Sequence, residues 1–485
     1  MDKINIQRFG PINKGEIDIS PLTVLIGPNS SGKSYAAMAL HSLYRTTDSD
    51  MRRIWNISGY KNVFASEQQK EFQEINKKWE KRKEVSINAS LLDSLLEYVY
   101  KDLSDKLEKS ITSTFSTEPF ELITEGHRKT RFDLYNGLGK SEISYWSEDE
   151  NIQTREFPHP NYSAHLVSID NESEEEVGID KKSEEKLVKF KINEEASEQV
   201  DLIQILIYMI YDWMNVPIHT DSYYLPAARS GLLESHKVLS AGAVDMVSQA
   251  GIEPIEVPAF SGEVSDYLKT IINMSDQEEG ELSHIADEFE EDLLNGEIIV
   301  EQKDNRPSSQ IKFVQKGHEY PLHLISTGVS ETAPLILYTR YILSEGSTLV
   351  IEEPEAHLHP ENQLKVAHFI VRLSNAGVRV IVTTHSDFFL QHLSYSVMVS
   401  KIDNQLKEDS EISDIPQIEP EKVSVHTFES VDPDPGDLDE FSISKLDINE
   451  TEGISLEEFE RVTDNLYGIS LKIDRLLEKT MQVDE

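Results

Sequence analysis

The stretch that decides the fold is Gly27-Pro28-Asn29-Ser30-Ser31-Gly32-Lys33-Ser34, which fits the pattern G-x-x-x-x-G-K-[ST]. It follows the apolar run 22–26 and precedes the run 35–40, an order that predicts strand, phosphate loop and helix. The glycines let backbone N–H groups point at phosphate oxygens, Lys33 adds a positive charge near the β- and γ-phosphates, and Ser34 can ligand Mg²⁺. The sequence therefore predicts a nucleoside triphosphate site.

The chain is acidic, with 46 Lys and Arg against 88 Asp and Glu in 485 residues and a formal net charge of −42. Most of this charge is expected on the solvated surface, where it repels polyanions. Sequence-independent DNA binding would then need a local basic patch. The dense basic cluster 77–83 is one candidate, although a solvated helix face is the favoured interpretation.

Composition also bears on location. The chain has no cysteine, which excludes disulfides and thiolate metal sites and fits a reducing cytoplasm. Its longest apolar stretch, 202–214, is shorter than the ~20 residues of a membrane span, and we expect a buried helix there. The first residues, 1–6, alternate like a strand and show no signal-peptide pattern. These features predict a cytoplasmic protein without a membrane segment.

The next motif after the phosphate loop starts at residue 326, which predicts a large insertion between two parts of one core. Within the insertion, apolar residues at four-residue steps predict a long amphipathic helix or a helical pair over 66–112. The predicted divisions are 1–45 for the first part of the core, 46–221 for a mainly helical insertion, 222–400 for the second part of the core and 401–485 for a small C-terminal α+β region.

Two further strands are predicted to end at the same site. The run 348–351 ends in Glu352 and Glu353, and the run 378–382 is followed closely by His385. The carboxyl ends of parallel strands face the crevice where ligands bind. We therefore assign Glu352 to the Mg²⁺ shell, Glu353 to orienting and deprotonating the attacking water, and His385 to a contact with the γ-phosphate or that water.

The motifs together resemble the ATP-binding-cassette class of ATPases. They are the phosphate loop 27–34, Ser326-Thr327-Gly328, the string E-E-P-E-A-H-L-H-P at 352–360, and Thr384-His385-Ser386. More narrowly, they resemble the RecF/SMC-like group that includes the ATPase domains of overcoming-lysogenization-defect (OLD) nucleases and related anti-phage proteins. The resemblance covers about 1–45 and 222–400. Glu352 departs from the cassette pattern, which usually has Asp there.

The resemblance implies an α/β P-loop NTPase fold with a mixed, mainly parallel sheet, a large helical insertion and a small C-terminal α+β cap. It also implies hydrolysis of ATP with Mg²⁺ by a head-to-tail homodimer. In such a dimer, Ser326 and Gly328 of one protomer cap the γ-phosphate bound to the other protomer's loop. The implied output is DNA-linked or anti-phage, acting through a separate effector protein such as a nuclease or toxin, without a membrane partner.

Some alternatives stay open from the sequence. An OLD-type endonuclease needs a two-metal acidic site, for which 432–434 and 437–439 offer aspartates, although the surrounding Pro and Gly favour an acidic loop. A transporter's cassette subunit or an ATP-binding switch with little turnover is also possible. Arg229 is a candidate for a phosphate or interface contact, with a structural salt bridge as the alternative.

Overall fold

The computed structural model describes most of the predicted core. The described residues are 3–48, 66–82, 84–117, 119–124, 129–136, 139–146, 187–191, 203, 206, 221–235, 260–274, 278–301, 310–402, 412–431, 440–449, 451–455 and 467–473. The strands are β1 (Lys3–Phe9), β2 (Ile12–Asp18), β3 (Leu22–Ile26), β4 (Glu84–Asn88), β5 (Lys129–Asn136), β6 (Gly139–Trp146), β7 (Leu187–Lys191), β8 (Ser222–Leu225), β9 (Glu297–Glu301), β10 (Gln310–Gln315), β11 (His318–Pro321), β12 (Thr348–Glu352), β13 (Arg379–Thr384), β14 (Val423–Val431), β15 (Glu440–Lys445), β16 (Ile448–Asn449) and β17 (Gly453–Ile454). The α-helices with defined bounds are α1 (Lys33–Asp48), α2 (Ser66–Arg82), α3 (Ala89–Phe115), α4 (Gly262–Asn273), α5 (Ser283–Leu293), α6 (Thr327–Tyr341), α7 (Pro360–Asn375) and α8 (Asp387–Val399).

Ten strands form one mixed sheet in the order β6-β5-β1-β2-β15-β14-β3-β13-β12-β8. The run from β14 to β8 is parallel throughout, as is the β2–β15 pair. The remaining neighbours are antiparallel. The predicted P-loop NTPase fold with a mixed, mainly parallel sheet is therefore confirmed.

Helices cover both faces of the parallel half. The inward residues of α6, α7 and α8 pack on one face with alternate residues of β3, β12 and β13, while α1 and α3 pack on the other. Because both faces are covered, β3 is a continuous apolar run in which every residue is buried. This packing fixes the strand ends that carry the site.

The register of the parallel strands brings their carboxyl ends to one edge. Ile26 of β3 lies opposite Thr384 of β13, and Thr383 lies opposite Glu352 of β12. Leu225, the last residue of β8, lies opposite Ile351. The residues that follow these four strands therefore meet at a single edge of the sheet, which agrees with the prediction for β3, β12 and β13.

The insertion contains the predicted helical pair, α2 and α3. It also contains β5 and β6, which extend the main sheet beyond β1, and β4 paired with β7. In the predicted buried helix at 202–214, the structure describes Ile203 and Leu206, both helical and buried. Among the described residues, no helix has the length and apolarity needed to cross a membrane.

The C-terminal region contributes strands to the core sheet. β14 lies beside β3, and β15 joins β14 to β2. The acidic residues 432–439 lie outside the described residues. The division of the chain into domains stays a prediction.

Gly27, the first residue of the phosphate loop, packs closely against the backbone of Phe428 in β14. Its φ is +139°, and an added Cβ would lie 2.8 Å from the Phe428 carbonyl oxygen. Because neither backbone can give way easily, we expect Gly27→Ala to lower the free energy of unfolding by about 2 kcal/mol or more. Thermal or urea unfolding measures this loss. Gly231→Ala is the control, since nothing lies within 4 Å of its added Cβ and no loss is expected.

Candidate functional site

The phosphate loop joins β3 to α1 and has its basic side chain folded inward. Lys33 Nζ donates to the carbonyl oxygens of Gly27 at 3.0 Å and Pro28 at 2.6 Å, and it lies 3.4 Å from Ser31 Oγ. Ser30 and Gly32 have φ values of +62° and +98°, so the chain turns sharply before α1 begins. The result is a curled loop with a cation inside it at a helix N-terminus, which is the arrangement that binds phosphate.

The outer residues of this loop are open to solvent. Pro28, Asn29 and Ser30 are exposed, as is Ser34 in the first turn of α1. That first turn contains no acidic residue. An anion can therefore approach the N–H groups of the loop and the helix start without meeting a carboxylate from α1.

The two acidic residues after β12 have different surroundings. Glu352 Oε2 accepts a hydrogen bond from the backbone N–H of Ala227 at 3.1 Å, which ties it to the turn after β8. Glu353 leaves the strand with φ +42°, and its N–H donates to the Thr383 carbonyl oxygen at 2.9 Å. Its side chain is 43% exposed, so its carboxylate stays accessible. The Glu352 carboxylate is therefore bonded to the turn after β8, whereas the Glu353 carboxylate is open to solvent.

His385 lies beside Glu353, as the strand order predicts. Its Nε2 is 3.8 Å from Glu353 Oε1. Burial and then the nearby Lys33 ammonium lower the pKa of His385, against the opposing effect of Glu353. At neutral pH the imidazole is therefore mainly neutral, and one ring nitrogen can accept a hydrogen bond while the other donates.

Glu355 supports His385 from inside the protein. Only 6% of Glu355 is exposed, and its Oε1 accepts hydrogen bonds from Thr384 Oγ1 at 2.5 Å and from the His385 N–H at 3.2 Å. Ser386 caps α8 and also donates to Gln363 Oε1 at 2.5 Å. The turn after β12 and the turn after β13 are thus held together by side chains.

Arg229 forms a buried structural ion pair, which is the second of the two interpretations offered by the sequence. Its side chain is fully buried, and its Nε lies 3.5 Å from Glu331 Oε2. Tyr267 Oη donates to the Arg229 carbonyl oxygen at 2.9 Å. The alternatives of a phosphate or interface contact do not fit a guanidinium with no exposed surface.

The Ser326-Thr327-Gly328 motif lies at the start of α6. Ser326 precedes the helix and its carbonyl oxygen accepts from the N–H groups of Val329 and Ser330. Ser326 and Thr327 are exposed. Among the described contacts, no hydrogen bond or ion pair joins Ser326 or Gly328 to residues 27–34. The N–H groups of an exposed helix start can bind an anion.

The residues at the shared edge are compatible with Mg²⁺ and a nucleotide. Within the described ranges, no group of three or more His, Asp or Glu side chains could hold a metal by itself. Protein sites that bind Mg²⁺ together with a phosphate group use few side chains and rely on phosphate oxygens and water for the other ligands. The hydroxyl of Ser34 and the carboxylate of Glu352 are oxygen ligands of the required kind.

The family comparison agrees with this geometry. A sequence model of a family described as an AAA ATPase domain matches residues 1–390. The chain belongs to this family. The match spans the phosphate loop, the acidic turn and His385, and a search of curated proteins found no match.

Solved structures give distant similarities. A structure of the Smc head bound to the C-winged helix domain of ScpA is 11% identical, with 95% of this chain and 99% of that chain covered and a TM-score of 0.37. An Smc head with an extended coiled coil bound to the C-terminal domain of ScpA, from Pyrococcus furiosus, is 10% identical over 96% and 99%, with a TM-score of 0.34. The SMC head domain from Thermotoga maritima is 11% identical over 92% and 99%, with a TM-score of 0.32.

The sequence did not reveal the buried residues that support the site. Glu355 stands in an acidic string next to two other glutamates, and nothing in the string marks it as the buried member. Its bond partners come from another strand 29 residues away. The sequence offers Arg229 as a candidate, but the partners of Arg229 on β12 and α6 lie more than 100 residues further along the chain. Such long-range contacts leave no local pattern in one sequence.

The buried Glu355 gives a prediction about pH. Burial raises the pKa of this carboxyl above its ordinary value of 4.5, against the hydrogen bonds from Thr384 and His385. The folded protein then holds this proton more tightly than the unfolded chain, so stability falls as the pH rises from 4.5 through the folded pKa. Glu355→Gln keeps the accepting oxygen and removes the charge. We expect its Tm to exceed that of the unchanged chain by about 2 °C at pH 8.

Thermal unfolding at a series of pH values measures this difference in Tm. The difference should become small near pH 4, because Glu355 is then mostly protonated in both the folded and the unfolded state. Glu421→Gln is the control, because Glu421 is exposed and its change should leave the Tm unaltered at both pH values. An equal or lower Tm for Glu355→Gln at pH 8 contradicts the prediction.

Proposed function

We propose that this AAA ATPase-family protein binds ATP and hydrolyses it with Mg²⁺ at the shared strand edge. The observation that carries the proposal is the meeting of the Lys33 loop, Glu352, Glu353 and His385 at the carboxyl ends of β3, β12 and β13. A curled cationic loop binds phosphate, and an accessible carboxylate beside a neutral imidazole can handle a water proton. Binding and hydrolysis are the functions that this combination supports best.

Each residue has a role in the proposal. The backbone N–H groups of 27–34 and the Lys33 ammonium bind the β- and γ-phosphates. Glu353 orients the attacking water and accepts its proton, since its carboxylate is exposed at the edge of the site. His385 contacts the γ-phosphate or the water, with its ring held through the Glu355 bond to its backbone. Charge that develops during transfer is then met by Lys33 and a histidine donor.

Ser34 and Glu352 would hold Mg²⁺ as its protein ligands. When bound, it neutralises charge on the phosphate oxygens. Glu352 stands where cassette ATPases usually have Asp, and its longer side chain is restrained by a hydrogen bond from the Ala227 N–H in the turn after β8.

The active form in this proposal is a head-to-tail homodimer. Ser326 and Gly328 lie at an exposed helix start, whose N–H groups can bind an anion, and no described hydrogen bond joins them to the phosphate loop of their own chain. A two-fold pair would place each helix end on the nucleotide of the other protomer and complete two sites at once. ATP would therefore hold the protomers together until hydrolysis.

We also propose, on the motif resemblance alone, that the chain belongs with the RecF/SMC-like and OLD-like ATPases and has a DNA-linked or anti-phage output through an effector protein. The strings 352–360 and 384–386 support this grouping. The endonuclease alternative rests on aspartates at 432–439, outside the described residues. It predicts metal-dependent DNA cleavage by the purified chain that is lost when Asp432 and Asp434 are changed.

The test is phosphate release from ATP and Mg²⁺ by the purified chain, with and without DNA, together with sedimentation in the presence of ATP. We expect Mg²⁺-dependent turnover and an ATP-dependent doubling of mass. Tight ATP binding without turnover would contradict hydrolysis and favour the switch with little turnover. A single protomer at saturating ATP would contradict the dimer.

A further inference from the structure

Among the residues that the structure describes, Arg229 has the largest fully buried side chain. It begins the helical segment 229–235, which follows β8 after the short turn 226–228, at the same edge as the candidate site. A buried guanidinium is costly unless its N–H groups are satisfied, so the partners it has show what the protein uses it for. Those partners belong to two elements with separate functions in the proposed ATPase.

The first partner is the backbone of the acidic turn. Nη1 donates to the Glu352 carbonyl oxygen at 2.8 Å, and Nη2 donates to those of Glu353 and Pro354 at 3.2 Å each. Three successive carbonyls therefore point at one side chain. The middle residue is Glu353, whose φ of +42° is uncommon for a residue other than glycine. Such a backbone persists only where its surroundings hold it.

The second partner is α6. Arg229 Nε donates to the Glu331 carbonyl oxygen at 3.0 Å and lies 3.5 Å from its carboxylate, while Glu331 Oε1 accepts from Ser230 Oγ at 2.5 Å. Glu331 is 2% exposed and lies in the second turn of the helix that Ser326 and Gly328 begin. One rigid, planar cation thus joins the start of α6 to the turn that carries Glu353.

We infer that Arg229 is a positioning residue, which holds the Glu353 carboxylate in place for hydrolysis and couples it to the position of α6. This inference rests on the proposed ATPase function. In the proposed dimer, the start of α6 binds the nucleotide of the other protomer. A shift of α6 on binding would be transmitted to Glu353 through the Arg229 guanidinium. The same side chain keeps the Glu353 backbone in its left-handed conformation between rounds of ATP hydrolysis. Binding of ATP depends on Lys33 and the loop, and it needs none of these contacts.

The decisive variant is Arg229→Lys, compared with Arg340→Lys. Lysine keeps the charge but cannot bond three carbonyls and α6 at once. Arg340 is a matched control because it is also buried and belongs to α6. It bonds Asp287, Glu290 and the Ile298 carbonyl oxygen, and none of its described hydrogen bonds reaches the acidic turn. Both changes should lower the Tm, so stability alone cannot distinguish them.

The kcat for ATP hydrolysis and the rate of local hydrogen exchange distinguish the two variants. We expect Arg229→Lys to lower kcat by about 10- to 100-fold through misplacement of Glu353, with the Kd for ATP changed less than about threefold. Arg340→Lys should keep kcat within about threefold. Hydrogen exchange at 353–358 should speed up in the first variant and stay unchanged in the second. If Arg229→Lys does not fold, Glu331→Gln takes its place and should lower kcat with the Kd for ATP retained.

The outcomes separate this inference from the proposed function. Folded Arg229→Lys with unchanged kcat, or with a change only in ATP binding, overturns the positioning role while the ATPase stands. The same holds for an unchanged kcat in Glu331→Gln if that variant is used. Absence of turnover in the unchanged chain overturns hydrolysis and the positioning role together, because there is then no catalytic step for Arg229 to serve.

Discussion

Glu353→Gln should lower the kcat for ATP hydrolysis by about 10²- to 10⁴-fold, the contribution typical of a positioned general base. Glutamine is isosteric with glutamate, so the left-handed turn at φ +42° and the N–H bond to Thr383 remain. Only the ability to accept a proton is lost. Because Lys33 and the loop are unchanged, the Kd for ATP should stay within about threefold and the ATP-bound dimer should accumulate.

Phosphate release, ATP binding by calorimetry and sedimentation measure the three parts of this prediction. Glu421→Gln is the matched control, because Glu421 precedes β14, whose first residue, Val423, pairs with Leu22 at the opposite edge of the sheet. It should behave as the unchanged chain. Full turnover in Glu353→Gln would remove Glu353 from its role and leave His385 as the residue to change next.

How far the sequence predicts this structure depends on the range of the interactions. β3, β12 and β13 are short apolar runs that are followed by motif residues, and parallel strands share a carboxyl edge, so the meeting of Lys33, Glu353 and His385 could be predicted. The position of β14 beside β3 could not be predicted from the sequence. Its pairing with β3 joins residues about 400 positions apart, and its alternation is compatible with a separate C-terminal region.

The same distinction applies within the site. Spacing identifies which residues stand at strand ends, but it does not tell an exposed carboxylate from a buried one. Glu352, Glu353 and Glu355 occur within four positions, yet one is bonded to Ala227, one is open and one is buried against Thr384. Their environments are set by β8 and β13, which are distant in sequence. Roles that depend on burial therefore need the structure.

Lys33→Ala should raise the Kd for ATP by about 100-fold or more. The ammonium provides charge-assisted hydrogen bonds worth about 1.5–3 kcal/mol each, and 1.4 kcal/mol corresponds to a factor of ten. The variant has a second effect, since Lys33 is 6% exposed and bonds the Gly27 and Pro28 carbonyl oxygens. Loss of these bonds should also lower the Tm, so weak binding alone would not prove a direct phosphate contact.

Lys33→Met separates the two effects, because it keeps the apolar stem packed and removes only the charged head. If the ammonium binds phosphate, Lys33→Met should lose ATP affinity as fully as Lys33→Ala while its Tm falls less. Lys422→Ala, an exposed lysine just before β14, is the control and should bind ATP normally. Calorimetric titration with ATP and Mg²⁺ decides the matter, because near-normal affinity in a folded Lys33→Met protein would show that the loop binds nucleotide without this charge. The assignment of 27–34 as an ATP site would then rest on its backbone N–H groups alone.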